Sequence, residues 1–268
     1  MTTSPIFADY NHFSAPWEIP FITIAVLIAF ICAVLLSSLN LTRSSKEYDP
    51  QRAWLRAILY FDFCFIVSWL TGVFPMLLSE PIAHSSQLNN PTWIFCTGLL
   101  LCVVFVCYAI FWREGTVSNG RPLVWFAVIP FGIIWGLATG QMLLSIWALL
   151  ERTGLQTTWI AVGTLLFGGM VNGFWHSKYW DINVAPDHNI VETNMRKILL
   201  AHIPNLGLSL GHLVLFSNPS IFVVSQVIAL GISAVVMHFP PFWGLASACV
   251  PQHKPEGRPL ATICVKIS

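Results

Sequence analysis

Hydrophobic positions in this chain come in long blocks rather than in alternating or helical stripes. Seven blocks stand out, at about Pro20–Leu39, Trp54–Leu78, Trp93–Trp112, Pro122–Leu150, Thr158–Trp175, Asn194–Phe216 and Ser220–Leu245. Each is near or above the ~20 residues that an α-helix needs to cross a bilayer. The pattern predicts a seven-helix transmembrane bundle, all-α, built as a single membrane domain over residues 1–268. Short connections leave no room for a soluble domain.

Composition strengthens this reading. Charged residues make up 9% of the chain and hydrophobic residues 56%. A soluble domain carries roughly 25% charged residues. The few basic residues are distributed unevenly. With the N-terminus outside, the inside segments and adjoining span ends hold Arg43, Lys46, Arg52, Arg56, Arg113, Arg121, Lys178, Arg196, Lys197, Lys254, Arg258 and Lys266. The outside segments hold Arg152. This positive-inside asymmetry predicts an outside N-terminus and a cytoplasmic C-terminus. The first apolar block has no basic stretch before it, so a cleaved signal peptide is not expected. The bacterial inner membrane is the expected location.

The net charge of +1 gives no footprint for nucleic acid. Membrane lipids and a hydrophobic small molecule are the expected partners, and an oligomer or a larger membrane complex is compatible with the pattern. The seven cysteines have no metal-motif spacing and read as free structural residues. Glycines at four-residue spacing (Gly132, Gly136 and Gly140; Gly169 and Gly173; Gly207 and Gly211) read as helix-packing surfaces. Pro130 and Pro204 are expected to kink their helices.

Candidate chemistry gathers between Trp175 and His212, a stretch with four of the eight histidines. Ionisable groups at membrane depth are expensive and mark functional sites by default. At ~100° per residue, His202, Asn205, Ser209 and His212 share one stripe of the sixth span, which is expected to face the bundle interior. Asp62 is the one carboxylate well inside a span. His176 and His238 lie at the inner ends of their spans. The segment 176–193, with Asp181, Asp187, His188 and Glu192, is expected to form a loop over them. Within it, Asp187 or Asn189 is a candidate helix cap. His212 falls too far out to join the others.

The leading expectation is a metal-centred, redox-active membrane enzyme working from the cytoplasmic side. Its substrate would be an isoprenoid, sterol, quinone or alkyl chain. His176, His188, His202, His238 and Asp181 are the candidate ligands for iron, copper or zinc. Asp62, His202 and Glu192 are the candidate catalytic residues. A metal-free isomerase or cyclase is the alternative: Asp62 or Glu192 would donate a proton, with Trp69 and Trp135 stabilising cations. A haem-binding subunit or a proton-coupled carrier comes third.

Established motifs such as HExxH, GxSxG and the histidine boxes of membrane desaturases are absent from the sequence. Asn172-Gly-Phe-Trp-His176 followed by Pro186-Asp-His188 resembles the copper-site segment of the C subunit of particulate methane and ammonia monooxygenases. That resemblance implies a metal near these residues, although Asn172 stands where the family has an aspartate. The seven-span layout is also similar to that of microbial rhodopsins. Span seven lacks the lysine that binds retinal, so a retinal photoreceptor is rejected. Small seven-span fungal terpene cyclases, which use membrane carboxylic acids, are a looser likeness in which Asp62 would be the acid.

Overall fold

The computed structural model describes residues 6–7, 50–118, 122–183 and 188–239, with two two-residue strands beyond them. The expected first span, Pro20–Leu39, lies outside the described residues, and so does Asp187. The described helices are α1 (Pro50–Leu70), α2 (Val73–Ser79), α3 (Ser85–Leu88), α4 (Pro91–Cys107), α5 (Trp125–Glu151), α6 (Thr157–Asn183), α7 (Ile190–Lys197), α8 (Ile203–Phe216) and α9 (Pro219–Met237). Two wide π-helical turns extend this set: Tyr108–Trp112 continues α4, and Ile198–His202 joins α7 to α8. Strands β1 (Cys249–Val250) and β2 (Ile263–Cys264) pair antiparallel.

Four helical segments are long and apolar enough to cross a membrane: Pro91–Trp112, Trp125–Glu151, Val191–Phe216 and Pro219–Met237. The bent pair α1–α2 makes a fifth when counted as one span. This marks an integral membrane protein of helical architecture. Three expectations are corrected in detail. The second block is not one straight helix, because Gly72 adopts φ 80° and the chain bends by 79° between α1 and α2. The fifth helix does not stop at Trp175 but runs on to Asn183, so His176 and Asp181 lie on a helix rather than in a loop. Pro204 sits in the first turn of α8, directly after a wide turn in which the Ile203 N–H reaches back five residues to the Ile198 carbonyl. That turn accommodates the donor that proline lacks.

The packing centre is the α5–α9 contact. Gly132, Gly136 and Gly140 form one edge of α5, as their spacing predicts. A Cβ added at Gly136 would stand 2.3 Å from the Val227 Cα, one at Gly132 would stand 2.8 Å from the Gly231 Cα, and one at Gly140 would stand 3.1 Å from the Val223 Cα. The two backbones therefore touch over two turns, with Val223, Val227 and Gly231 answering the glycines. On α6, Gly163 and Gly168 receive Leu150 and Leu143 of α5. Gly169, Gly207 and Gly211 meet open space and are not packing surfaces of the described chain.

One end of the bundle gathers Thr71, Glu151, Arg152 and Asn218. Arg152 donates to the Thr71 carbonyl (2.9 Å), and Asn218 donates to the Ile82 carbonyl (3.0 Å). The Glu151 carboxylate accepts the backbone N–H groups of Ile6 (2.8 Å) and Phe7 (2.9 Å). Phe7 is buried there against Met76, Leu144 and Trp147. The opposite end carries Arg113, Arg196 and Lys197.

Gly136→Leu places carbon against backbone that cannot move aside, and overpacking of this kind costs about 1–3 kcal/mol. We expect it to abolish the monodisperse detergent-purified species. Gly207→Ala, in open space, should melt at or slightly above the wild-type temperature. Size-exclusion profiles and thermal unfolding of both variants check the pair.

Candidate functional site

The two wide turns face each other across the bundle, and a hydrogen bond joins them. Tyr108 Oη lies 2.6 Å from His202 Nδ1. Trp112 packs around the pair, stacked on Tyr108 at 5.7 Å and edge-on to His202 at 5.0 Å between ring centroids. Tyr108 and Trp112 are almost fully buried, while His202 is half-buried. Widened helical turns occur often at functional sites, because the extra residue re-aims side chains that a regular helix would separate.

The pair continues into a buried polar seam. Asn205 donates to Gln226 Oε1 (3.0 Å), Ser209 donates to Asn205 Oδ1 (3.2 Å), and Ser209 and Ser225 share a hydrogen bond of 2.7 Å. The stripe read from the sixth span thus faces the interior, for the expected reason: these groups find partners on α4 and α9 instead of lipid. His212 completes the stripe at a separate place, with its Nε2 2.8 Å from Thr97 Oγ1 of α4.

Sequence reasoning missed Tyr108, Trp112, Thr116 and Lys197. Lys197 is 3% exposed, and its ammonium donates to Thr116 Oγ1. It also stands 5.0 Å from the centre of the Trp112 ring. Thr116 in turn donates to the Trp112 carbonyl (2.6 Å). The available signal is a lysine immediately before the apolar run that begins at Ile198, on the way into the His202 stripe. In the sequence alone that lysine speaks only for membrane orientation.

The remaining candidates do not gather around this pair. Asp62 is exposed on the outward side of α1, between exposed Ile58 and Ile66. Tyr60 and Cys64 claim the inward face, and at ~100° per residue Asp62 falls almost opposite both. Glu192 is exposed in the first turn of α7. Asn189, one of the two expected caps, closes that turn by accepting from the N–H groups of Val191 (3.0 Å) and Glu192 (3.3 Å). His188 lies over the turn after α4, where Gly115 has φ +68° and a Cβ would stand 3.1 Å from the His188 Cδ2. His188 also borders a small cleft with Phe111, Glu114, Thr193 and Arg196. His238 caps α9 in the left-handed region, at φ 53°. His176 and Asp181 lie on α6, with side chains outside the described residues. Among the described residues, no three His, Cys, Asp or Glu side chains form a group that could hold a metal ion.

A second concavity lies between α1, α5 and the end of α9. It is lined by Ala57, Tyr60, Phe61, Phe131, Trp135, Met237 and Phe239. Its walls are ring edges, with Phe61–Phe131 at 5.4 Å and Phe131–Trp135 at 6.0 Å. Trp135, expected to face a cationic intermediate, lines this cleft. Trp69, paired with it in that expectation, is 61% exposed.

Tyr108→Phe should yield folded protein destabilised by about 1 kcal/mol, the net worth of one hydrogen bond. Asp62→Asn should not lower the melting temperature, since it removes a charge with no partner among the described residues. Thermal unfolding in one detergent checks both.

No protein-family model, curated protein or solved structure matches this chain.

Proposed function

We propose that this protein is an integral membrane enzyme performing acid–base chemistry on a lipophilic substrate, with His202 and Tyr108 as the proton-handling pair. The observation that carries the reading is the 2.6 Å bond between these two titratable side chains, held between facing wide turns. In the arrangement of protons that suits this role, the phenol O–H donates to Nδ1, and the other imidazole nitrogen carries the proton. His202 then presents an N–H to substrate. As that proton passes to substrate, the phenol proton follows onto Nδ1, which leaves the imidazole neutral and Tyr108 as a phenolate until a proton returns to the pair. A positioned acid–base group of this kind contributes about 10²–10⁴-fold to rate.

An isoprenoid, sterol, quinone or alkyl-chain substrate suits an approach through the apolar surface. Relative to the sequence reading, the acid moves from Asp62 and Glu192 to His202 and Tyr108. We further propose seven spans with the N-terminus outside, the basic end in the cytoplasm and the bacterial inner membrane as host. Arg113, Arg196 and Lys197 at one end, against Arg152 at the other, support that orientation.

The test is a comparison of lipid extracts from membranes containing wild-type protein, His202→Ala, Tyr108→Phe and Asp62→Asn. Wild type and Asp62→Asn should change the level of the same apolar metabolite, while His202→Ala and Tyr108→Phe should leave it unchanged. Identical profiles for wild type and folded His202→Ala would sink the proposal. One equivalent of a transition metal in the pure protein, lost in His202→Ala, would replace it with the metal-centred reading built on His176, Asp181, His188, His202 and His238.

A further inference from the structure

Beyond the last apolar block the chain holds two cysteines, Cys249 and Cys264, whose relationship the sequence does not reveal. The strand register brings them together. β1 and β2 pair antiparallel, with Cys249 opposite Cys264 and Val250 opposite Ile263. Cα atoms directly opposite in such a ladder lie about 4.5 Å apart in one kind of rung and about 5.5 Å apart in the other. A disulfide spans Cα separations of about 4.4–6.8 Å, so both kinds of rung fit it. Opposite residues also share one face of the ladder, whereas neighbours along a strand alternate between faces.

Two further features single this pair out. An isolated two-stranded ladder is marginal in water, and each strand here is two residues long. A covalent link across the rung adds support, because it restricts the open chain that the ladder must close. By contrast, Cys64, Cys96, Cys102 and Cys107 are free and belong to α1 and α4 of the apolar bundle. Cys249 and Cys264 lie in a basic stretch of sequence, with Lys254, Arg258 and Lys266 against Glu256. Positive charge nearby favours the thiolate, which is the form that reacts with oxidants.

We propose that Cys249 and Cys264 are a redox modification site, at which a reversible disulfide joins β1 to β2 and ties residues 251–262 into a covalent ring. The oxidant is a hydroperoxide. One thiolate attacks a peroxide oxygen, the O–O bond breaks, and a sulfenic acid forms with release of water. The second thiolate attacks that sulfur and expels its oxygen as a second water. Two thiols and one hydrogen peroxide thus become one disulfide and two waters, with two electrons passing from sulfur to oxygen. A dithiol reductant reverses the step by exchange and takes the disulfide onto itself. In the cytoplasm, the proposed location of this end of the chain, thiols are held reduced and disulfides act as transient sensors.

Cleavage after Glu256 tests the link, because it leaves Cys249 on the fragment that ends at Glu256 and Cys264 on the one that begins at Gly257. The protein in phosphatidylcholine nanodiscs is reduced, exposed to hydrogen peroxide, blocked with iodoacetamide, digested and weighed by mass spectrometry. The two fragments should stay joined after peroxide and separate with dithiothreitol. The Cys264 fragment should join the Cys249 fragment at least tenfold more than a fragment carrying any other cysteine. Fragments that remain separate, or joining without that preference, would overturn the assignment. A register shift separates a paired ladder from two thiols meeting at random. Cys249→Ser combined with Val250→Cys moves the thiol to the other face of β1 and should lower the yield of linked fragments at least tenfold. Adding Ile263→Cys and Cys264→Ser rebuilds the pair one rung along and should restore it. Equal linking in the shifted variant would also count against the proposal.

Discussion

The backbone contact between α5 and α9 is the constraint on which the rest of the bundle depends. In lipid, apolar side chains gain nothing by leaving one greasy surface for another. Helices associate where their backbones approach closely or where polar groups find partners. Gly132, Gly136 and Gly140 remove the side chains that would hold the two axes apart. Once α9 is seated there, Ser225 and Gln226 are presented to α8. The seam from Asn205 through Ser209 then closes with good geometry. That seam fixes the rotation of α8, and the rotation brings His202 against Tyr108.

Backbone chemistry sets the remaining local geometry. Pro204 cannot supply a donor to the preceding turn, and the chain widens before it instead of breaking. A matching wide turn at Tyr108–Trp112 puts two large aromatic residues on one side of α4. The pairing of the two turns concentrates Tyr108, Trp112, Lys197 and His202 at the basic end. The opposite end is organised differently. Glu151 holds the N–H groups of Ile6 and Phe7, and Phe7 fills an apolar recess. Titratable chemistry and structural closure thus occupy opposite ends of the same bundle.

Much of this was legible in the chain. Block length and scarcity of charge marked membrane helices, because the bilayer imposes a length and a polarity on anything that spans it. The glycine spacing on α5 marked its packing edge. The polar stripe from His202 to His212 pointed inward, since lipid offers those groups no partner. The inward seam and the cap at Asn189 agree with the structure. The glycines of α8 do not pack as expected: Gly207 and Gly211 have the right spacing but face open space. Spacing states which residues share a face, not which face finds a neighbour.

The sequence by itself determined that this is a helical membrane protein, which residues share a helix face, and that one end carries the basic charge. Those properties follow from local periodicity and from the solvent. Tertiary structure alone decided which polar groups meet. Asp62 satisfied every sequence criterion for a buried acid, yet the inward preference of Tyr60 and Cys64 turned it outward. Tyr108 and Lys197 gave no warning, because a tyrosine in an apolar run and a lysine at a span end are ordinary. Their importance comes from a partner 94 residues away in the first case and from a turn 81 residues away in the second. Contacts at that separation depend on how helices rotate against each other. Rotation is set by packing across the whole bundle, which no local pattern encodes.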